Sequence, residues 1–118
     1  MLGQANHFFN DAPVQEPYAT KRFEDETHRL YRVLNTQLTG KAYVAGDDYS
    51  IADIAIFGWA NRYHRHRIDL EEFPEVKRWY ESVLHRPAVE KALAIKVDTP
   101  QVNLATDQEA RKVLFNQL

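Results

Sequence analysis

The 118-residue sequence contains no cysteine. That excludes disulfides as a source of stability, and it excludes a protein thiolate as nucleophile or metal ligand. Glycine is scarce, four residues and none adjacent, so no glycine-rich loop is available to cradle a phosphate. No apolar run approaches the ~18 residues of a membrane-spanning helix. The first seven residues, Met1 to His7, lack the basic and apolar regions of a secretory signal. Neither sign of charge dominates: 15 Lys and Arg stand against 17 Asp and Glu, a net charge of −2. There is no electrostatic reason here to bind nucleic acid or an anionic membrane. The expectation is a cytoplasmic protein with neither partner, since a chain without cysteine fits the reducing cytosol.

What is present is a globular composition, 44% apolar and 27% charged, long enough to bury a core. The chain is organised around Asp48-Tyr49-Ser50-Ile51-Ala52-Asp53-Ile54-Ala55-Ile56-Phe57-Gly58-Trp59-Ala60. Ser50 and Asp53 have the spacing of a capping box. The hydroxyl accepts from the N–H three residues on, and the carboxylate reaches back to the Ser50 N–H. Tyr49 and Ile54 occupy the positions of a hydrophobic staple. Apolar residues follow on every side, which predicts a central helix over about 50–65, buried all round. Gly58 in its interior predicts close approach by a neighbouring helix.

The other segments also read as helices. Residues 1–10 resemble the end of one, with Leu2, Phe8 and Phe9 as contacts. Pro13 and Pro17 break the pattern, and Pro17 suits the first position of the next helix. Phe23, Thr27, Leu30, Leu34 and Leu38 recur at spacings of three and four, with Tyr31 and Val33 widening the stripe, and Gly40 stops it. Gly46-Asp47-Asp48 has turn chemistry. A further helix starts near Pro74, with Val76, Trp79, Tyr80 and Val83 on its core face. Pro87 to Ile95 is a short last core helix, contacting through Val89, Ala92, Leu93 and Ile95. Thr106-Asp107-Gln108-Glu109 caps a weak helical pattern in the tail. The fold class is all-α, with a main domain over 1–95 and a tail over 96–118.

Candidate chemistry is thin. Ser50 lacks the G-x-S-x-G context of a nucleophile elbow, and capping accounts for both Ser50 and Asp53. His64 and His66 are two apart, so on a helix they diverge and cannot share a metal. Glu24, Asp25 and Glu26 diverge in the same way and read as a solvated face. The run Asn61-Arg62-Tyr63-His64-Arg65-His66-Arg67 is basic, but Arg and His at a helix C-terminus complement the dipole. No catalytic residue and no metal ligand is assigned. The groups free to meet a bound molecule are Arg22, Arg62, Arg65, Tyr18, Trp59 and Tyr63.

Three ordered motifs go further: Tyr49-Ser50-Ile51-Ala52-Asp53-Ile54-Ala55, Phe73-Pro74-Glu75-Val76-Lys77-Arg78-Trp79 and Arg86-Pro87-Ala88-Val89. Together they resemble the C-terminal domain of cytosolic glutathione transferases. Met1-Leu2-Gly3-Gln4, Pro17-Tyr18-Ala19 and the stretch from Glu26 to Asn35 resemble the nu-class bacterial enzymes, which include glutathione-dependent disulfide-bond oxidoreductases. The resemblance implies the helical bundle of that domain. It implies glutathione as cosubstrate of the complete enzyme, no metal, and a homodimer. A thioredoxin-like N-terminal domain would activate the thiol, and it is missing from these 118 residues. The resemblance places Arg22 at glutathione and Trp59, Arg62 and Tyr63 at the second-substrate pocket. The chain alone is then expected to be inactive. The alternative is a non-catalytic interaction domain of the same fold.

Overall fold

Pro17 has its φ fixed near the helical value and no N–H to leave unsatisfied, and the longest helix begins there. In the computed structural model, which describes residues 1–96, 98, 102–104 and 106–115, the described residues form six α-helices. They are α1 (Leu2–Asn6), α2 (Pro17–Leu38), α3 (Ile51–Ala60), α4 (Pro74–Leu84), α5 (Pro87–Leu93) and α6 (Gln108–Phe115). A π-helical turn, His7–Asp11, continues α1, and two 3-10 turns, Tyr63–His66 and Leu70–Glu72, link α3 to α4. No strand occurs among the described residues; Tyr43 and Gly46 form an isolated bridge in the α2–α3 connection.

The core is the seam between α2 and α4. Thr27, Tyr31 and Leu38 of α2 are buried at spacings of four and seven, the period of one helix face. Val76, Trp79 and Val83 of α4 meet them and are fully buried. Each such side chain contributes roughly 1.5–3 kcal/mol by leaving water. Val33, read from sequence as part of the stripe, is instead 54% exposed. It lies outside the narrower arc that α4 covers.

The two helices also complete each other's ends. Phe73 precedes α4 without a side-chain cap. The cap comes from α2, where Asn35 Oδ1 accepts from the N–H groups of Glu75 (2.9 Å) and Val76 (3.2 Å). In return, Arg78 of α4 donates through Nη2 to the carbonyls of Leu38 (3.3 Å) and Lys41 (2.7 Å), where α2 ends. Gly40, at φ +72, makes that ending possible without a Cβ clash. Glu75 holds the same guanidinium at 2.9 Å. Arg78→Ala is expected to cost about 1–2 kcal/mol, because orphan carbonyls lose a charge-assisted partner. Thermal melts of Arg78→Ala and Arg78→Lys check this. A lysine variant as stable as the parent would show that the forked geometry is irrelevant.

The central helix differs from its sequence reading in two ways. It ends at Ala60, with Asn61 as C-cap, rather than near residue 65. It is also buried on one side only, through Asp53, Phe57 and Ala60. Ile51 (84%), Ile54 (58%), Ala55, Gly58 and Trp59 (45%) face outward. A Cβ on Gly58 would meet nothing within 4 Å among the described residues, which do not supply the expected close helix approach there. The staple is replaced: the Tyr49 ring carries the Arg86 guanidinium at 3.7 Å and lies edge-on to Tyr43, while Ile54 is exposed. Helix α5 buries no residue fully; Val89 leans on the core, whereas Ala92, Leu93 and Ile95 are exposed. Asp107 caps α6 by accepting from the Ala110 N–H at 2.9 Å.

Candidate functional site

Ser50 breaks from extended backbone into helix, and its Oγ accepts from the Ala52 N–H at 3.2 Å. Asp53 lies one turn on and is fully buried. Its Oδ2 accepts from Ser50 N–H (2.9 Å) and Ser50 Oγ (3.2 Å). Its Oδ1 accepts from Val44 N–H (3.0 Å) and from the Trp79 indole N–H (2.8 Å). Burial alone would raise its pKa, but these hydrogen bonds outweigh that and hold it below the ordinary carboxylate value. Every lone-pair direction is taken, so Asp53 has nothing left to offer a substrate. It joins the α2–α3 loop, the start of α3 and α4.

Arg22 stands on the exposed face of α2, in a shallow depression lined by Tyr18, Lys21, Asp25, Glu26, Arg29 and Arg32. Two of its cationic neighbours are taken: Lys21 pairs with Asp25, and Arg29 forks onto Glu26 at 2.7 Å. Arg22 has no ion pair or hydrogen bond among the described residues. Its guanidinium is free to receive a carboxylate bidentately.

Trp59 lines a different place, an apolar groove of about 330 Å³ between α2 and α3 that Leu2 of α1 also lines. Tyr31, Val33, Leu34, Ile56 and Ala60 form much of its wall. A third depression, on α2, is lined by Arg29, Arg32, Val33, Thr36 and Gln37. It shares arginines with the Arg22 site, and Val33 and Gln37 with the groove. The outer face of α2 is therefore a continuous strip, cationic at the Tyr18 end and apolar at the Gln37 end.

Arg62 and Tyr63, which the resemblance groups with Trp59, do not line that groove. The helix has already ended, so the chain turns away after Ala60. Tyr63 packs edge-on to Tyr80, whose hydroxyl donates to Asn61 Oδ1 at 2.9 Å. Arg62 is exposed. Of the two histidines, His64 is exposed and His66 is 1% exposed. His66 Nδ1 lies 3.5 Å from the Tyr31 hydroxyl, and its Nε2 has no hydrogen-bond partner among the described residues. Burial pushes the His66 pKa down to about 4, with Arg62, His64 and Arg65 adding like-charge repulsion. Nothing in the local sequence signals this burial, since the stretch reads as basic surface. No group of three or more His, Asp or Glu side chains among the described residues is arranged to hold a metal.

The family model for the glutathione S-transferase C-terminal domain matches residues 7–87. Disulfide-bond oxidoreductase YfcG of Escherichia coli is 50% identical over 93 residues, covering 79% of this chain and 43% of that protein. Disulfide-bond oxidoreductase YghU of the same organism is 38% identical over 96 residues, covering 75% and 33%. A glutathione transferase homologue from Lodderomyces elongisporus, solved with two GSH per subunit, superposes with a TM-score of 0.71 at 40% identity, covering 75% and 43%. The chain thus spans about two fifths of the length of such relatives. With a family model matching more than half of it and the all-α bundle expected of that domain, the chain belongs to the glutathione S-transferase C-terminal domain family.

Proposed function

We propose that this chain is the substrate-side half of a nu-class, glutathione-dependent enzyme. The enzyme would be cytoplasmic and homodimeric, and would act in disulfide reduction or thiol conjugation. The observation that carries this reading is an unpaired guanidinium at Arg22, beside a strip that runs into an apolar groove, in a chain 50% identical to a disulfide-bond oxidoreductase. Arg22 would receive a glutathione carboxylate. Trp59 would supply apolar wall for the second substrate, with Arg62 and Tyr63 at its margin.

The chain supplies no thiol of its own, and in this reading glutathione is the nucleophile. In disulfide reduction its thiolate attacks one sulfur of the substrate, forms a mixed disulfide and expels the other sulfur as thiolate. A second glutathione thiolate then attacks the mixed disulfide. Oxidised glutathione and the second substrate thiolate result, so two electrons pass from two glutathiones to one disulfide. Thiolate activation would belong to a thioredoxin-like domain preceding residues 1–95, docking on the outward face of Ile51, Ile54 and Ala55; the 96–118 tail would lie outside that unit. A non-catalytic interaction domain is the second reading, and the same exposed face supports it.

The 118 residues alone should turn over neither a disulfide nor an electrophile. Fusion behind the N-terminal part of the Escherichia coli relative should give glutathione-dependent reduction of a small disulfide. In that fusion Arg22→Ala should raise the KM for glutathione about tenfold or more, the loss of one charge-assisted hydrogen bond. A fusion indifferent to Arg22→Ala would remove the glutathione role, and an inert but folded fusion would favour the interaction domain.

A further inference from the structure

The basic residues His64 to Arg67 in the turn after α3 are used by neither reading. We propose that Tyr63–His66 is an acid-sensitive clasp, in which neutral, buried His66 keeps the N-terminal segment (residues 2–11) fastened to the bundle. This does not rest on the glutathione reading.

The clasp is built from four contacts. Arg65 Nε donates to Asn6 Oδ1 at 2.9 Å, and the Arg65 carbonyl accepts from Asn10 Nδ2 at 3.1 Å. Arg65 also lies 3.6 Å from the Asp11 carboxylate, and the Arg67 guanidinium sits 4.6 Å above the Phe9 ring. The turn is held in an unfavourable shape. It is 3-10, with poorer hydrogen-bond geometry than an α-helix. It ends at Arg67 with φ 58 and ψ 35, a left-handed conformation that costs a non-glycine residue energy.

What keeps it closed is the burial of the His66 ring, and that burial suits only the neutral form. On its own turn His66 is surrounded by Arg62, His64 and Arg65. From α2 it meets the Tyr31 hydroxyl at 3.5 Å, and from α3 the Trp59 ring at 6.2 Å. Helix α1 carries no charged side chain. On the π turn, Asp11 is engaged by Arg65 and by Asn6 at 2.8 Å, and the His7 ring packs on Phe8 and Phe115. No free carboxylate is therefore placed to receive a proton's charge on His66. The turn's backbone packs on α1 and the π turn, and its Tyr63 and His66 rings reach the edge of the α2–α4 seam at Tyr80 and Tyr31. It can open, taking the clasp with it, while Val76, Trp79 and Val83 stay buried in that seam. Opening would expose more of Leu2, which lines the apolar groove beside the already exposed Trp59.

The test is amide hydrogen exchange on the 118-residue chain, read as protection factors from pH 7.5 to 5. Linkage between an open-state value near 6.5 and a closed-state value of about 4 gives a loss of about 30-fold in protection over that range. It should appear in residues 5–9 and 63–68 at protection factors below those of α4, which reports the global stability. His66→Phe should abolish the pH dependence, and His64→Gln should leave it. Should His66→Phe fail to fold, the ring titration of wild-type His66 by NMR decides, with a midpoint well below the ordinary imidazole value expected. The proposal is overturned if these segments are as strongly protected as α4 and open only with it, if His66→Phe keeps the pH dependence, or if the His66 ring titrates near the ordinary imidazole value.

Discussion

Asp53→Ala will lower the stability of the chain by about 3–5 kcal/mol, several times the ~1 kcal/mol of an ordinary lost cap. The reason is the set of donors left behind. The Trp79 indole N–H is buried and loses its acceptor, and the Val44 and Ser50 N–H groups lose theirs in half-buried surroundings. Each unsatisfied donor costs roughly 1–3 kcal/mol. Against a typical total of 5–15 kcal/mol this threatens folding outright. Ser50→Ala is the control, because it removes the hydroxyl contacts at 3.2 Å and leaves Val44 and Trp79 bonded. It should cost about 1 kcal/mol. Asp53→Asn should fall between the two, since an amide can still accept from Val44 and Trp79 but turns an N–H₂ toward the Ser50 N–H. Urea denaturation of the three variants measures this. Equal losses in Asp53→Ala and Ser50→Ala would reduce Asp53 to half of a cap.

Acid will weaken the fold well above the carboxylate range. His66 has a pKa of about 4 when folded and about 6.5 when unfolded. The unfolded chain therefore binds the proton more tightly. The stability that neutral His66 confers is fully present above pH 6.5 and is lost as pH falls from there toward 4. The loss is about 2 kcal/mol between pH 7.5 and 5, and about 3 kcal/mol in all. Asp53 adds a second fall at lower pH. Its folded pKa is depressed, so its contribution is present above about 3.8 and disappears as pH drops through the folded value. Urea melts at pH 7.5, 6 and 5 should show the first slope in the parent chain and in His64→Gln. They should show it flattened in His66→Phe. A stability unchanged between pH 7.5 and 5 would mean that His66 is not buried as a neutral ring in solution.

These two residues mark the boundary of what local pattern can say. The sequence alone determined the all-α class and the start of α2 at Pro17. It also located the glycine stop after Leu38, the Val76–Trp79–Val83 face of α4 and the Ser50–Asp53 pair. Each of these depends on groups within a turn or two of one another, where helical period and backbone sterics act directly. It could indicate Arg22 and Trp59 as candidates only through resemblance. Whether a guanidinium is free depends on which carboxylates its neighbours have already taken.

Tertiary structure decided the rest, because the deciding partners lie far along the chain. Asp53 turns from a cap into a junction when α4 brings Trp79 to it. Asn35 and Arg78, unremarkable in sequence, become reciprocal caps when the C-terminal end of α2 packs beside the start of α4. Gly58 anticipates a neighbour that the described residues do not place there. His66 sits in a run that reads as solvated and basic, yet the turn after Ala60 swings its ring inward against Tyr31. Apolar periodicity fixes which residues of a helix can be buried together. Which of those faces is covered, and by what, depends on the packing of segments that no local pattern compares.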